Sequence, residues 1–196
     1  MINGTAADES LLEFGPGNLA PSAWSADGRF IAYTLARASG ASDVWILPLF
    51  GDRKPFPLVQ SEFIEIGGVF SPDGRWIAYT SNEGGQPNVY VQPFPEAGGK
   101  YQVSRDGGSR PVWRADGKEM FYLGLDRTLM AVPIETTGQF EAGGPQVLFR
   151  TGAIPFNTAA VYAATKDGKR FLVSSRPQQS EAPLTVVVNW LAAIQK

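Results

Sequence analysis

The chain has 196 residues, and its 17 Lys and Arg side chains nearly balance 19 Asp and Glu, which gives a formal net charge of −2. His and Cys are both absent, so catalytic pairs built on imidazole or thiolate, disulfides and Cys/His metal sites are excluded. The near-neutral charge balance argues against a surface that tracks nucleic-acid phosphates. An apolar fraction of 43% is typical of a folded globular protein.

An internal repeat organises the chain. Four Asp-Gly pairs stand in similar flanking sequence at spacings of 46, 43 and 51 residues, with their Asp at Asp27, Asp73, Asp116 and Asp167. A basic residue follows each of these four pairs, namely Arg29, Arg75, Lys118 and Lys169. Units of this length that repeat along a chain are typical of β-propellers, in which each unit is one four-stranded blade.

Each unit is predicted to contain four short strands. In the first three units the first strand ends at an aromatic residue, Trp24, Phe70 or Trp113, which is expected to pack in the core between units. Asp-Gly between two apolar runs predicts a hairpin turn in which both residues take positive φ. Each Asp is expected to cap its own turn through hydrogen bonds from its side chain to the backbone. The third strand is a segment such as Val89–Pro93, closed by a proline that cannot extend a central strand. The predicted blades span about residues 20–60, 64–105, 108–150 and 159–196.

The last unit has only three predicted strands before the chain ends. A strand at residues 10–14, before the first blade, can supply the missing fourth one and so join the two ends of the chain in one sheet. The predicted fold is therefore all-β: a single domain, residues 1–196, forming a β-propeller of four four-stranded blades. Blades curved for a larger ring would instead leave exposed blade edges through which copies of the chain form a homo-oligomer.

Two sets of residues carry a resemblance to known families. The segments Trp24–Arg29 and Phe70–Tyr79 resemble the WD-type repeats of TolB propellers. The segments Tyr90–Pro95, Gly107–Arg114 and Val186–Trp190 are similar to the C-terminal propeller of bacterial serine/threonine kinases. The resemblance covers nearly the whole chain and implies the propeller fold. No kinase motif is present, so a kinase activity would belong to another part of a parent protein.

The resemblance also bears on location. A segment of a kinase of this kind would be extracytoplasmic, whereas a complete chain is expected in the cytoplasm, because its N-terminus is polar and acidic. The most apolar stretch, residues 184–194, is too short for a membrane helix. We therefore predict no membrane insertion, no nucleic-acid partner and no cofactor or metal.

Candidate binding residues fall into two groups. The segment Ser104–Arg110 places Arg105, Ser109 and Arg110 around flexible glycines before an innermost strand, and it is the best single binding-loop candidate. The second group is the ring of cations Arg29, Arg75, Lys118 and Lys169, which can attract an anion or an acidic partner. The simpler interpretations are an ordinary connection for the segment, and solvated residues just beyond a turn for the ring.

We predict a non-catalytic module that binds a protein partner or a small ligand through loops at the channel mouth. No nucleophile motif is present, so no catalytic residue is assigned. The alternative is a propeller hydrolase that uses Asp or Glu carboxylates on a sugar or ester substrate. Several glutamates are available for it, but no spacing singles out a pair: Glu62, Glu65, Glu83, Glu119 and Glu135.

Overall fold

A computed structural model describes residues 10–12, 18–96, 98–137, 139–152 and 161–174, together with the backbone of residues 184–188. Every helix or strand assigned in these residues is a β-strand, and the strands form four antiparallel sheets. Across the same residues, no helix is long and apolar enough to cross a membrane. The predicted all-β class is confirmed.

The first two sheets are four-stranded meanders, in which each strand pairs with the next along the chain. The strands of the first sheet are β1 (Leu19–Trp24), β2 (Phe30–Ala36), β3 (Ser42–Pro48) and β4 (Phe56–Val59). The strands of the second sheet are β5 (Glu65–Phe70), β6 (Trp76–Ser81), β7 (Asn88–Pro93) and β8 (Tyr101–Gln102). Both sheets agree with the predicted strand order.

The third and fourth sheets vary this plan. The strands of the third sheet are β9 (Ser109–Trp113), β10 (Glu119–Leu123), β11 (Thr128–Glu135), β12 (Glu141–Ala142) and β13 (Gln146–Arg150), where both β12 and β13 pair with β11. The strands of the fourth sheet are β14 (Tyr162–Ala164), β15 (Arg170–Ser174) and β16 (Leu184–Val188). Of the predicted N-terminal strand, residues 10–12 are not in a strand, and residues 13–14 lie outside the described residues.

Apolar clusters between successive sheets form the core. Phe30 and Ile46 of the first sheet pack with Phe70 and Ile77 of the second. The next cluster joins the second sheet to the third, around Trp76, Val91, Met120, Tyr122 and Val132. A further cluster joins the third sheet to the fourth, around Phe121, Leu129, Leu148, Phe171 and Val173. The sheets are therefore stacked face to face in chain order, as blades are in a propeller.

The repeated aromatic position before the Asp-Gly pair depends on this stacking. Phe70 is buried in the cluster between the first and second sheets. The indole of Trp113 donates to the carbonyl of Val69 in the preceding sheet, at 3.2 Å. Trp24, at the same repeat position, is 62% exposed, so the expectation that it is a core residue is wrong. It belongs to the first sheet, where the described residues provide no preceding sheet to cover it.

The Asp-Gly turns are longer than the predicted two-residue hairpins. In the first turn, Ser25 N donates to Phe30 O and Gly28 N donates to Ser25 O, both at 2.9 Å. Only the glycine takes positive φ, at 74°, while Asp27 does not. The Asp serves through its side chain instead, accepting from the Ser25 hydroxyl at 2.6 Å and from the Arg29 backbone N–H at 3.0 Å. The prediction that each Asp caps its own turn is confirmed.

The same turn recurs in all four sheets with three different donors. Ser25 and Ser71 donate hydroxyls to the Asp two residues on. Thr165 does the same for Asp167, and in the third sheet the Arg114 guanidinium forms a two-bond contact with Asp116. These bonds lower the pKa of Asp27, Asp116 and Asp167 below the ordinary aspartate value.

The turn at Ser71 provides a test of whether the side-chain hydrogen bonds of these turns stabilise the fold. Ser71 is buried, and its Oγ donates to Asp73 at 2.6 Å while accepting from the Trp76 backbone N–H at 3.0 Å. Ser71→Ala leaves that buried N–H without an acceptor, so we expect a loss of about 1–3 kcal/mol in the free energy of unfolding by urea. Arg75→Ala, which removes only an exposed ion pair with Asp73, should cost below about 1 kcal/mol. Equal losses of unfolding free energy in the two variants would contradict a stabilising role for the hydrogen bonds of the Ser71 hydroxyl.

Acid should weaken the turns in a defined direction. Because the folded-state pKa of Asp27 lies below its unfolded value, its stabilising contribution is complete above about pH 4. The contribution is lost as the pH falls through the folded-state pKa. Asp27→Asn does not titrate, so the free energy of unfolding should fall less steeply with acid in this variant than in the parent chain. Parallel curves of free energy against pH would show that the Asp27 bonds do not stabilise the fold.

Candidate functional site

The first strands of all four sheets border one central cavity of about 290 Å³. We call β1, β5, β9 and β14 the inner strands. The residue six positions before each repeated Asp lines the cavity in every sheet, and these residues are Pro21, Gly67, Arg110 and Val161. Thr34 and Thr80, seven positions after the first two repeated Asp residues, also line the cavity, as do Ser22 and Tyr162.

Irregular pairing shapes the inner strands beside this cavity. The pairing register shifts between Pro21 and Ala23 in β1 and between Ile66 and Val69 in β5. In the third sheet the shift lies between Phe121 and Leu123 of β10, opposite the segment of β9 that contains Arg110. Bulges of this kind re-aim side chains and are frequent beside functional sites.

Arg110 occupies a position where the preceding sheet has glycine. Gly67 and Arg110 are equivalent in the repeat, and their φ angles are 70° and 60°. Positive φ is uncommon for a residue with a side chain, because Cβ crowds the backbone. Such strained residues concentrate at binding and catalytic sites. A large cationic side chain in this conformation therefore marks Arg110 as a functional candidate.

Neighbouring inner elements hold the Arg110 backbone in place. Its N–H donates to Thr80 Oγ1 at 3.2 Å, and its carbonyl accepts from the Tyr162 hydroxyl at 2.7 Å. Tyr162 is buried, and burial raises its pKa well above the ordinary tyrosine value. The phenol is therefore neutral at physiological pH and remains a hydrogen-bond donor.

The Arg110 guanidinium lacks a counter-charge in the part of the chain that the structure describes. The side chain is partly buried, and its Nε is buried with no hydrogen-bond partner there. Burial lowers the pKa of Arg110, but an arginine stays charged in proteins. A partly buried, unpaired cation is costly in the empty protein, and an anion that enters the cavity can relieve that cost.

The other two residues of the predicted binding loop do not line this cavity. Arg105 is exposed and borders a separate cavity of about 570 Å³, together with Tyr122 and Leu125. Ser109 is buried, and its Oγ has no hydrogen-bond partner among the described residues. The loop is therefore divided between two cavities.

The four cations after the Asp-Gly pairs lie outside the central cavity. The Arg29 guanidinium lies 4.3 Å from the centre of the Phe50 ring, and Arg75 pairs with Asp73 at 2.7 Å. Lys118 and Lys169 are exposed, and their backbone N–H groups both donate to the Asp of their own turn. Their role in anion binding stays a prediction.

Among the described residues that line the central cavity, none carries a carboxylate. Glu65 is fully buried at the start of β5, where its Oε1 accepts from Ser61 at 2.7 Å and from Ser81 at 3.2 Å. Asp43 is also fully buried and pairs with Arg37 at 3.0 Å. Among the residues that the structure describes, no cluster of three or more metal-binding side chains occurs.

Four sheets stacked in order around one cavity define a β-propeller, and sequence comparison gives its family. Residues 4–175 match the model of the TolB beta propeller domain, so the chain belongs to that family. The Tol-Pal system protein TolB of Anaeromyxobacter dehalogenans strain 2CP-1 is 39% identical over 82 residues. That match covers 42% of this chain and 18% of the relative, so it spans less than a fifth of the relative's length.

Solved structures share the fold. A protein from Agrobacterium tumefaciens assigned as TolB superposes with a TM-score of 0.57 at 19% identity, covering 71% of this chain and 51% of that one. An oligogalacturonate lyase in complex with manganese superposes with a TM-score of 0.63 at 11% identity, covering 90% and 51%. The TolB resemblance is thus confirmed, whereas the further likeness to kinase propellers stays a prediction.

The strain at Arg110 can be measured with two variants that both remove its charge. Arg110→Gly and Arg110→Ala differ only in Cβ, and glycine adopts a φ of 60° without the Cβ clash. We expect the glycine variant to be more stable than the alanine variant by about 1 kcal/mol in urea unfolding. At ordinary strand positions the order is reversed, so a more stable alanine variant would contradict a left-handed backbone at this position.

Proposed function

We propose that the chain is a non-catalytic β-propeller binding module that recognises a protein segment or a small ligand at the mouth of the central cavity. The observation that carries the proposal is Arg110 in the cavity wall, which has no counter-charge among the described residues and whose buried Nε has no hydrogen-bond partner among them. Hydroxyls beside a cation can orient a ligand, and the described part of the lining offers no carboxylate for acid–base catalysis. The predicted loop residues Arg105 and Ser109 do not line this cavity, so their part in binding stays a prediction.

The family supports binding to a protein in particular. The sequence relative is named as a protein of the Tol-Pal system, and such a name describes a component that works with other proteins. Propellers host many unrelated activities, so the fold alone does not decide between binding and catalysis. Self-association through blade edges is a further part of the proposal, since Trp24 and Leu172 expose apolar surface on the first and last sheets.

The rival function is hydrolysis or a related cleavage by paired carboxylates. An oligogalacturonate lyase is among the structural neighbours, so an enzyme with this fold is known. The buried carboxylate of Glu65 is held by two serine hydroxyls and does not line the central cavity. For this reason we favour binding over cleavage.

Blocking the cavity tests this proposal. Ala20 is an exposed strand residue that lines the cavity, so Ala20→Trp should fill it. Ala163→Trp is the matched control, because Ala163 is an exposed strand residue outside the lining. Peptides and small molecules that bind the parent chain in a library selection should lose about tenfold or more in affinity with Ala20→Trp. They should keep their affinity with Ala163→Trp.

Two results would contradict the binding module. One is a selection whose binders are equally weakened by both tryptophan variants, or that yields no binder. The other is turnover of a sugar or ester substrate that a single Asp or Glu substitution abolishes, which would establish the rival function. Circular dichroism of both variants provides the check on folding.

A further inference from the structure

We infer that the central cavity recognises a carboxylate group, which Arg110 binds through its guanidinium. This inference rests on the proposed binding function and specifies the chemistry of the ligand. The carboxylate would belong either to a peptide, at its C-terminus or on an acidic side chain, or to a free short-chain acid. Both sources present the same planar anion to the arginine.

The first argument is the unusual position of Arg110 among the cations. Only three described Lys or Arg residues are not exposed, and these are Arg37, Arg110 and Arg114. Arg37 pairs with buried Asp43, while Arg114 pairs with Asp116 and Glu119. Among the described residues, Arg110 alone of the three contacts no carboxylate. In the described part of the chain, Arg37 and Arg114 each have a counter-charge, and Arg110 in the cavity does not.

The second argument is the positive φ of Arg110. The equivalent residue in the preceding sheet is glycine, which satisfies the positive φ without strain. The third sheet keeps the conformation but carries an arginine, held by Thr80 on one side and Tyr162 on the other. Backbone strain and desolvation of the guanidinium both make arginine unfavourable at this position in the empty protein. A contact between the guanidinium and a ligand offsets that cost.

The third argument is the shape and polarity of the cavity. Ile66, Val69 and Val112 line the same cavity as Arg110, and a less polar wall strengthens the attraction of the arginine for an anion. The volume of about 290 Å³ is at the lower limit for small-molecule sites. It therefore suits a carboxylate on a short stem rather than a whole large ligand.

A single guanidinium also selects between anions. Its planar fork matches a carboxylate with two parallel hydrogen bonds. A phosphate carries more charge and more acceptor oxygens, and proteins usually surround it with several donors such as backbone N–H groups at a helix N-terminus. The described residues that line this cavity offer one cation, Arg110, and the neutral hydroxyls of Ser22, Thr34, Thr80 and Tyr162, so we favour the carboxylate.

The test compares charged and neutral forms of one probe. Isothermal titration calorimetry would measure binding of N-acetyl-alanyl-glycine, its C-terminal amide, butyrate and inorganic phosphate to the full chain. We expect the free-acid peptide or butyrate to bind, and the amide to bind at least about tenfold more weakly. Tighter binding of the peptide acid than of butyrate would identify a peptide as the source, and the reverse would identify a free acid.

Variants connect the binding to Arg110. Arg110→Gln should reduce carboxylate affinity about tenfold or more, and Arg110→Lys should retain part of it, because charge remains but the fork is lost. Arg127→Gln is the matched control, because Arg127 also has a positive φ but is exposed and does not line the cavity, and it should leave the affinity unchanged. Since Arg110→Gln also removes an uncompensated cation, it should raise the melting temperature of the empty protein by about 2–4 °C. A purely structural arginine would instead lower the melting temperature when removed.

Several results would overturn this inference. One is equal affinity for the peptide acid and its amide, and another is tighter binding of phosphate than of the carboxylates. The others are no carboxylate binding at millimolar concentration and unchanged carboxylate affinity in Arg110→Gln. None of them would by itself contradict the binding module, because a neutral ligand that is excluded by Ala20→Trp still establishes that function. Conversely, carboxylate binding that Ala20→Trp does not affect would place the anion outside the cavity and overturn the inference.

Discussion

Packing between the faces of successive sheets is the interaction on which the remaining structure depends. In β6 the side chains alternate between two neighbours: Ile77 joins the cluster shared with the first sheet, and Trp76 and Ala78 join the cluster shared with the third. A strand covered on both faces is buried along its whole length, as β6 is. Because each sheet stacks on the previous one in this way, the four inner strands converge on a single cavity.

The residues that line the cavity depart from this regular arrangement in one sheet. The repeat places the residue six before each Asp at the axis, and in three sheets that residue is Pro, Gly or Val, none of which carries a charge. In the third sheet it is Arg110, in a strained conformation and without a described counter-charge. Departures from local rules are expected at functional sites, because the stability that they cost is recovered in binding. The tyrosine that supports Arg110 comes from the next inner strand, so the site depends on correct stacking of the third and fourth sheets.

Much of the fold could be predicted from the sequence, since local patterns determine strands and turns. The Asp-Gly spacing predicted the sheets, and the Asp side chain was correctly expected to cap its turn. The turn type was wrong, because a hydroxyl or guanidinium two residues before the Asp forms a longer, side-chain-bonded loop that Asp-Gly alone does not indicate. Trp24 was also misplaced, since the burial of a repeated aromatic depends on a neighbouring sheet and not on its own repeat.

The sequence by itself determined the repeat, the strand order and the TolB-type propeller, because these follow from period-2 patterning and turn residues within each unit. It also singled out Arg110, but only together with Arg105 and Ser109, as members of one loop. The tertiary structure alone decided that the two arginines face different cavities and that Thr34, Thr80 and Tyr162 join Arg110. These residues are far apart in sequence, and the stacking of sheets brings them together around the axis. Partial burial of a charge is a property of that assembly, which no single repeat contains.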